Sequence, residues 1–237
     1  ELVQARGHEE SPAMVRAVER AHAAAVRYST DVIGRTDVAW RTDSARVLDM
    51  PLIDLIQSVQ LRVTGADLSI ASAFSLDATI APGPITVARI AQLYPYENTL
   101  RAVRLSGAQV RAFLEHSARY FVVEADGRGG LRMRPDPRIP GYNYDIVAGA
   151  EYAIDLSRPM GDRIVGLAFR GRPIADRDSF TVALNNYRAG GAGGYRMLQG
   201  ATVVFASAPP RSAARGSRCR TRTPRLHPAA CGTRRRS

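Results

Sequence analysis

Apolar side chains recur every three or four residues in several stretches of the chain, and this spacing predicts amphipathic helices. Two of the stretches begin at Pro12 and Pro51, and proline favours the first turn of a helix because its missing N–H needs no partner there. The second helix carries an apolar stripe of the kind that packs on a core. The predicted helices are residues 11–28, 51–63, 86–93 and a segment after Ser106, and the stripe comprises Leu52, Leu55, Ile56 and Val59.

The helix after Ser106 has a recognisable start signal. Ser106 is followed three residues later by Gln109, the pattern of a capping box in which each side chain binds the other residue's backbone N–H. The apolar residues that follow at helical spacing are expected to face inward, and they are Val110, Phe113, Leu114 and Ala118.

Other stretches have the pattern of β-strands. Residues 100–105 alternate in polarity, and residues 66–73 are mostly apolar and are predicted as a buried strand. Residues 122–143 are rich in Gly, Pro and Arg and are predicted as a long loop, which in compact domains is often functional. The mixed order of elements predicts an α+β fold with mixed sheets flanked by helices. Further strands are predicted at 37–40, 151–156, 163–170, 179–184 and 202–205, with turns at 82–84 and 171–173.

The positive charge of the chain is concentrated at one end. The net charge is +11, but nine arginines and no acidic residue follow Pro210. Without these nine the net charge is +2, so the rest of the chain is near neutral and no nucleic-acid partner is expected for it. Residues 207–237 are expected to form a disordered basic tail. This tail is either a truncated or frame-shifted end or a genuine tail that binds acidic surfaces.

Catalytic and metal-binding candidates are few. Both cysteines, Cys219 and Cys231, lie in the tail, which excludes a disulfide framework and a thiolate metal site elsewhere. Residues 7–10, Gly-His-Glu-Glu, are interpreted as a solvated linker, and no Ser-His-Asp or Cys-His arrangement can be argued. We expect no catalytic residue and no metal ligand in this chain. No apolar run is long enough to predict a membrane span.

Four stretches, taken in order, resemble the C-terminal domain of the 5′-nucleotidase/2′,3′-cyclic-nucleotide 2′-phosphodiesterase (3′-nucleotidase) family. The resemblance implies the α+β fold of that domain. It also implies an interdomain linker helix in residues 1–35, a nucleotide-binding domain in residues 36–206 and the tail in residues 207–237. The four stretches lie within residues 46–56, 66–74, 93–116 and 142–191.

The resemblance further implies that two tyrosines clamp a nucleotide. Tyr96, in Pro95-Tyr-Glu-Asn98, and Tyr187, before the glycine loop, would sandwich the base. Stacking of a base on an aromatic ring is worth roughly 1–3 kcal/mol and tolerates base identity. The alternative is that both tyrosines are ordinary core or surface aromatics.

Polar and glycine residues near the tyrosines complete the implied site. Asn98 and Asn186 would bind the ribose or a base edge, unless they serve turns. Gly190 and Gly191 would let the backbone approach the ligand, or they form a flexible loop. Arg46 would contact the phosphate or ribose as a fixed charged donor, or it forms a surface ion pair.

The sequence departs from the 5′-nucleotidase branch of the family in two places. That branch carries Asn-Gly-Gly-Gly-Ile-Arg after the second strand, whereas this chain has Ala71-Ser-Ala-Phe-Ser-Leu76 and lacks the arginine. Ala192 stands where that branch has the aspartate of Gly-Gly-Asp-Gly. Both departures favour the branch that acts on 2′,3′-cyclic nucleotides and 3′-nucleotides.

The resemblance thus implies the substrate-binding domain of a dimetal nucleotide phosphohydrolase in nucleotide catabolism. Two divalent metals are expected in a missing N-terminal metallophosphoesterase domain, where a bridging water attacks phosphorus. The chain begins without Met and is expected to be a fragment that binds a nucleoside or nucleotide and hydrolyses nothing alone. The full-length protein is expected to be periplasmic, secreted or in the cell wall. The rival hypotheses are a non-catalytic nucleoside-binding or scaffold module and a nucleic-acid-binding protein that acts through the tail.

Overall fold

The computed structural model describes residue 7, residues 9–127 and residues 130–208. The predictions for His8 and for residues 209–237, with both cysteines, therefore lie outside the described residues. The chain divides into two compact units. The first comprises the described residues up to 39 together with 80–94, and the second comprises 40–79 together with the described residues from 95 onwards. The boundaries predicted at 35/36 and 206/207 stay predictions.

Helices and strands alternate along the described residues, in agreement with the predicted α+β class. The helices are α1 Pro12–Ser29, α2 Pro51–Thr64, α3 Val87–Leu93, α4 Gly107–Ala118 and α5 Asn186–Ala189. The strands are β1 Val32–Thr36, β2 Trp40–Arg41, β3 Leu68–Ser72, β4 Thr79–Ile80, β5 Gly83–Thr86, β6 Leu100–Ser106, β7 Phe121–Ala125, β8 Leu131–Pro135, β9 Asp145–Ala148, β10 Ala150–Ile154, β11 Ile164–Phe169, β12 Arg172–Pro173, β13 Ser179–Asn185 and β14 Val203–Ala206. Short 3-10 helices are formed by Gly141–Asn143, Ala192–Gly194 and Arg196–Leu198.

The first unit contains α1, β1, β5 and α3. The predicted helix α1 is present, yet none of its residues is buried, and Met14 and Val18 on its apolar face are 71% and 58% exposed. β1 pairs antiparallel with β5. The predicted turn at 82–84 is wrong in part, because Gly83 begins β5 with a φ of 117° that suits glycine.

The strand predicted at 37–40 is wrong for a local reason. β1 ends at Thr36, whose hydroxyl donates to the Val38 carbonyl (2.9 Å) and accepts the Val38 N–H (3.3 Å). These two bonds close a tight turn, because a threonine side chain competes with strand pairing for the backbone groups of its neighbours. Only Trp40 of the predicted segment belongs to a strand, β2.

The predicted apolar stripe of helix α2 matches its buried face in part. Leu52 is buried and Ile56 packs on a core cluster, whereas Val59 is exposed. Gln57 is also buried, and its amide accepts the Ala148 N–H (3.2 Å) and donates to the Ile146 carbonyl (3.4 Å) of β9. A buried amide that finds two backbone partners replaces part of the apolar contact that the stripe would make.

The second unit is built on a five-stranded sheet with the order β14-β6-β13-β3-β9. β13 and β3 are parallel, and the other neighbouring strands are antiparallel. All five residues of β3 are buried, as predicted. Helix α4 covers this sheet with the predicted inward residues, and the Ser106–Gln109 capping box is present.

The loop predicted for residues 122–143 is wrong over much of its length. Residues Phe121–Ala125 and Leu131–Pro135 form an antiparallel hairpin, β7–β8. The Gly, Pro and Arg content of the stretch favours a loop and outweighed the alternation of apolar and polar residues in Leu131-Arg-Met-Arg134, which is a strand pattern. The ion pair between Arg134 and Glu124 joins the two strands. Strand β9 was also absent from the prediction.

Candidate functional site

One edge of the five-stranded sheet gathers four connecting segments. β3 and β13 run parallel and both end at this edge, whereas β6 and β9 run antiparallel to them and begin there. The register pairs Asn185 with Leu100 and Ser72 with Asp145. We call the segments at this edge, residues 73–76, 95–99, 141–144 and 186–194, the aromatic edge.

The two tyrosines implied as a base clamp both lie on the aromatic edge. Tyr96 is 50% exposed and Tyr187 is 48% exposed. The Tyr96 ring packs edge-to-face against Phe74, with ring centroids 5.1 Å apart. The Arg188 guanidinium lies 5.6 Å from the centre of the Tyr187 ring. Each ring is supported by the protein and keeps surface for a planar ligand, and their joint contact with a base stays a prediction.

Asn186 joins the segments that carry the two tyrosines. Its side-chain oxygen accepts the Thr99 N–H (2.8 Å), and its own N–H donates to the Thr99 carbonyl (2.9 Å). On the same segment the Asn98 N–H donates to the Tyr96 carbonyl (2.9 Å). Asn186 therefore fixes the Tyr96 segment against the Tyr187 segment. Direct contact of Asn98 or Asn186 with a ligand stays a prediction.

Arg46 is bound within the protein. Its guanidinium donates to the Tyr120 hydroxyl (3.1 Å) and to the Ala73 carbonyl (3.0 Å), directly before Phe74. A side chain at Gly141 would collide with this guanidinium. Arg46 thus braces the segment that supports Tyr96, and its contact with a phosphate or ribose stays a prediction.

The two glycines predicted to approach a ligand differ in backbone conformation. Gly190 is exposed and has an ordinary φ of −78°. Gly191 is buried with a φ of 81°, and a Cβ there would lie 2.9 Å from Gln199 Cγ. Gly191 is therefore required by the turn itself.

Arg188 lies at the centre of the aromatic edge, and the sequence does not reveal its role. Only 3% of it is exposed, and its Nε lies 2.6 Å from Asp145 Oδ2. Burial raises the pKa of the Asp145 carboxyl, and the Arg188 charge opposes this rise. The position of Arg188 within the family-like run 185–191 was the only hint of its role in the sequence. A charged residue beside a glycine loop is more typical of a solvated surface.

His116 of α4 supports the glycine loop from the core side. Its Nε2 lies 3.0 Å from the Gly193 carbonyl, and its ring lies 4.3 Å from that of Tyr195. Because a carbonyl only accepts, Nε2 carries the proton, and Nδ1 is left to face the Arg119 guanidinium at 3.3 Å. Burial lowers the pKa of His116, which favours this neutral form.

The described residues hold neither a metal cluster nor a membrane span. Within them, no three or more His, Cys, Asp or Glu side chains are grouped so as to bind a metal ion. No helix formed by these residues has the length and hydropathy needed to cross a bilayer.

Known proteins provide a comparison for this arrangement. Residues 32–200 match the family described as 5′-nucleotidase, C-terminal domain. Over 222 residues the chain is 26% identical to the trifunctional nucleotide phosphoesterase protein YfkN of Bacillus subtilis (strain 168), covering 81% of this chain and 15% of that protein. Over 141 residues it is 33% identical to the 2′,3′-cyclic-nucleotide 2′-phosphodiesterase/3′-nucleotidase of Salmonella typhimurium, covering 54% of this chain and 22% of the relative.

A solved structure shows the same fold. The putative 5′-nucleotidase from Staphylococcus aureus in complex with alpha-ketoglutarate superposes with a TM-score of 0.72 at 23% identity, over 86% of this chain and 40% of that chain. The chain thus spans well under half the length of these relatives. The family match covers most of the chain and includes every predicted site residue. The chain belongs to the 5′-nucleotidase C-terminal domain family.

Proposed function

We propose that this chain is the nucleotide-binding domain of a longer nucleotide phosphohydrolase, in which Tyr96 and Tyr187 hold the base. The observation that carries the proposal is their shared position. Both are half-exposed on neighbouring segments of one sheet edge, and the hydrogen bonds between Asn186 and Thr99 fix those segments together. Two preset rings lose little conformational freedom when a base enters between them.

The surroundings of the rings support a nucleotide rather than a purely apolar ligand. Asn98 lies two residues from Tyr96, and an amide at this position suits contact with the ribose or a base edge. Stacking tolerates any base, so the tyrosines supply affinity and the polar groups supply orientation. The hydrolytic chemistry belongs to a metallophosphoesterase domain outside this chain, where two divalent metals would activate water. This chain contributes positioning of the substrate and no catalytic group.

The substrate class we propose is a 2′,3′-cyclic nucleotide or a 3′-nucleotide. The relative from Salmonella carries that activity in its name and is 33% identical over the matched region. Phe74 lies in the segment where the 5′-nucleotidase branch has an arginine, and here it packs on Tyr96. An aromatic at this point strengthens the base site rather than adding a charge for a phosphate. We place the full-length protein in the periplasm, the cell wall or the secreted fraction.

The binding proposal is tested by titrating the purified chain with adenosine and 3′-AMP while tyrosine fluorescence and calorimetric heat are recorded. Tyr96→Ala and Tyr187→Ala should each weaken binding by roughly 1–3 kcal/mol, about 5- to 150-fold in Kd. Tyr28→Ala is the matched control, because Tyr28 is a 64% exposed tyrosine on α1, which belongs to the other compact unit. Its affinity should equal that of the unaltered chain.

Three results would contradict the proposal. Absence of binding by the unaltered chain, or full affinity in the double variant, would favour a non-catalytic scaffold module. Release of phosphate from 2′,3′-cyclic AMP or 3′-AMP by the purified chain with Mn²⁺ would show that it carries catalytic groups of its own.

A further inference from the structure

Arg188 forms a buried ion pair directly beside an exposed tyrosine. The side chains of Arg188 and Asp145 are each only 4% exposed, and Arg188 Nε lies 2.6 Å from Asp145 Oδ2. Asp145 opens β9, whereas Arg188 lies on the four-residue helix α5 that follows β13. The pair therefore ties α5 to the far strand of the sheet, across β3.

The remaining nitrogens of the Arg188 guanidinium bind two further segments. Nη2 donates to the Tyr142 carbonyl (3.0 Å), Nη1 donates to the Ala192 carbonyl, and both lie 3.4 Å from Asn143 Oδ1. The guanidinium also stacks over the Tyr195 ring at 4.2 Å. One planar group thus fixes α5, the 141–144 segment and the glycine loop relative to one another. Only arginine offers donors in this fork geometry.

Tyr187 lies between two anchored residues. On one side Asn186 is bonded to Thr99, and on the other side Arg188 is bonded to Asp145. The Asn185 side chain also caps α5 by accepting the Arg188 N–H (2.7 Å). A helix this short has little stability of its own. The direction of the Tyr187 ring is therefore set by its two neighbours.

We propose that Arg188 is a positioning residue for the nucleotide: its ion pair with Asp145 holds Tyr187 and the glycine loop in the arrangement that receives the base. The inference rests on the proposed function and adds to it the group that orders the site in the absence of ligand. Arg188 is buried beneath the edge and acts through Tyr187 and Ala192. Its loss should raise the entropic cost of binding, because the loop must then be ordered by the ligand.

The test compares two buried arginines in the full chain. Arg188→Lys keeps the positive charge and removes the planar guanidinium, with its several hydrogen-bond donors. Arg163→Lys is the control, because Arg163 is 6% exposed and its Nη1 binds the carbonyls of Ala118 (3.0 Å) and Phe121 (2.7 Å), and none of these three residues belongs to the segments of the aromatic edge. Adenosine affinity is measured by calorimetry, melting temperature by circular dichroism, and loop order by hydrogen–deuterium exchange.

We expect Arg188→Lys to weaken adenosine binding at least about tenfold and to speed amide exchange in residues 186–199. Arg163→Lys should lower the melting temperature by a similar amount while its Kd stays within about twofold of the unaltered chain. If Arg188→Lys does not fold, Asp145→Asn takes its place, because it keeps the shape of the partner and removes the charge; the same losses are expected in smaller degree.

The outcomes separate the inference from the proposed function. Unchanged affinity and unchanged exchange in the Arg188 or Asp145 variant overturn the inference while adenosine binding itself stands. Equal loss of affinity in the Arg163 control overturns it as well, since a general loss of stability then explains both. If the unaltered chain binds no adenosine, the proposed function fails, and unchanged loop exchange in the variant overturns the positioning role independently.

Discussion

Two sets of tyrosines in the second unit differ in exposure, and with it in the role that they can play. Tyr96 and Tyr187 are half exposed on the aromatic edge, whereas Tyr144 of the same edge is 7% exposed, and Tyr120 and Tyr195 are 4% and 0% exposed. The buried rings pack on one another and on the core, with Tyr120 and Tyr144 stacked at 5.1 Å. The edge rings follow or precede strands at the sheet margin. Because Tyr144 also borders a strand at this edge, exposure to solvent, rather than residue type or position along the sheet, separates a binding candidate from a structural tyrosine.

The hydroxyl groups of the buried tyrosines have partners within the protein. Tyr195 donates to the Asn143 carbonyl (2.8 Å), and the Tyr120 hydroxyl accepts from Arg46 (3.1 Å). Both bonds brace segments of the aromatic edge from below. A buried phenol must be hydrogen-bonded to avoid a desolvation cost. The buried set therefore supplies the rigid base on which the exposed set is held.

The largest effect that separates the two sets should be on stability. Tyr195→Ala removes a fully buried ring that lies 4.4 Å from the Phe113 ring and 4.3 Å from the His116 ring. We expect a loss of about 3–5 kcal/mol in the free energy of unfolding, measured by urea denaturation. Tyr187→Ala should stay within about 0.5 kcal/mol of the unaltered chain. Equal losses in the two variants would remove the distinction.

A comparable effect on stability should appear on raising the pH. Burial raises the pKa of Tyr144, Tyr152 and Tyr195 above the ordinary value. The unfolded chain then loses these protons first, so the stability they contribute is present below about pH 10 and is lost as the pH rises further. The expected slope is about 1.4 kcal/mol per pH unit for each tyrosine.

Phenolate absorbance and circular dichroism, recorded together during an alkaline titration, check this expectation. Part of the absorbance rise should coincide with unfolding. Tyr195→Phe should shrink that part, since it removes one of the three raised groups. Complete ionisation of every tyrosine while the fold is intact would be inconsistent with the burial described above.

The smallest effect concerns the support of an edge ring. Phe74→Ala removes the edge-to-face partner of Tyr96, a contact worth about 0.5–1.5 kcal/mol. Adenosine affinity should fall by about 2- to 12-fold with little change in melting temperature. Phe169→Ala is the matched control, because Phe169 makes a similar contact with Phe180 at 5.3 Å in another part of the unit. If Phe74→Ala and Phe169→Ala bind adenosine with the same affinity, the contact with Phe74 is not needed to hold Tyr96 in place.

Elements with strong local signals were predictable from the sequence. Helix α4 was predicted with its cap and its buried face, because Ser106, Gln109 and the apolar spacing all indicate the same helix. Strand β3 was predicted because its stretch of the sequence is mostly apolar, and all five of its residues are buried. The hairpin β7–β8 was missed, because the Gly, Pro and Arg content of the stretch favours a loop and outweighed the alternation in Leu131-Arg-Met-Arg134. The buried face of α2 was predicted in part, and Gln57 was missed because its partners lie on β9, far along the chain.

The residues of the candidate site also divide into those that the sequence predicts and those that it does not. Tyr96 and Tyr187 were found because each lies in a short run of residues that resembles a family motif. Arg188 and Asp145 were not, because their meaning lies in a pairing that only the folded sheet brings about. The sequence predicted Gly191 as a point of ligand approach, and the structure adds the turn that needs it. Residues in local motifs can be predicted from the sequence, whereas pairs formed by residues from distant strands cannot.

Gly193 has a consequence for how this loop diverges among homologues. Its φ of 75° already disfavours other residues, and a Cβ there would strike Arg188 Nη1 and Asn143 Oδ1. Residue 193 can therefore change only if residue 188 or 143 changes with it. Substitutions at these three positions should be inherited together, so that a homologue bearing a side chain at position 193 has also replaced the arginine or the asparagine. The glycine at position 193 therefore depends on the Arg188 guanidinium that packs against it.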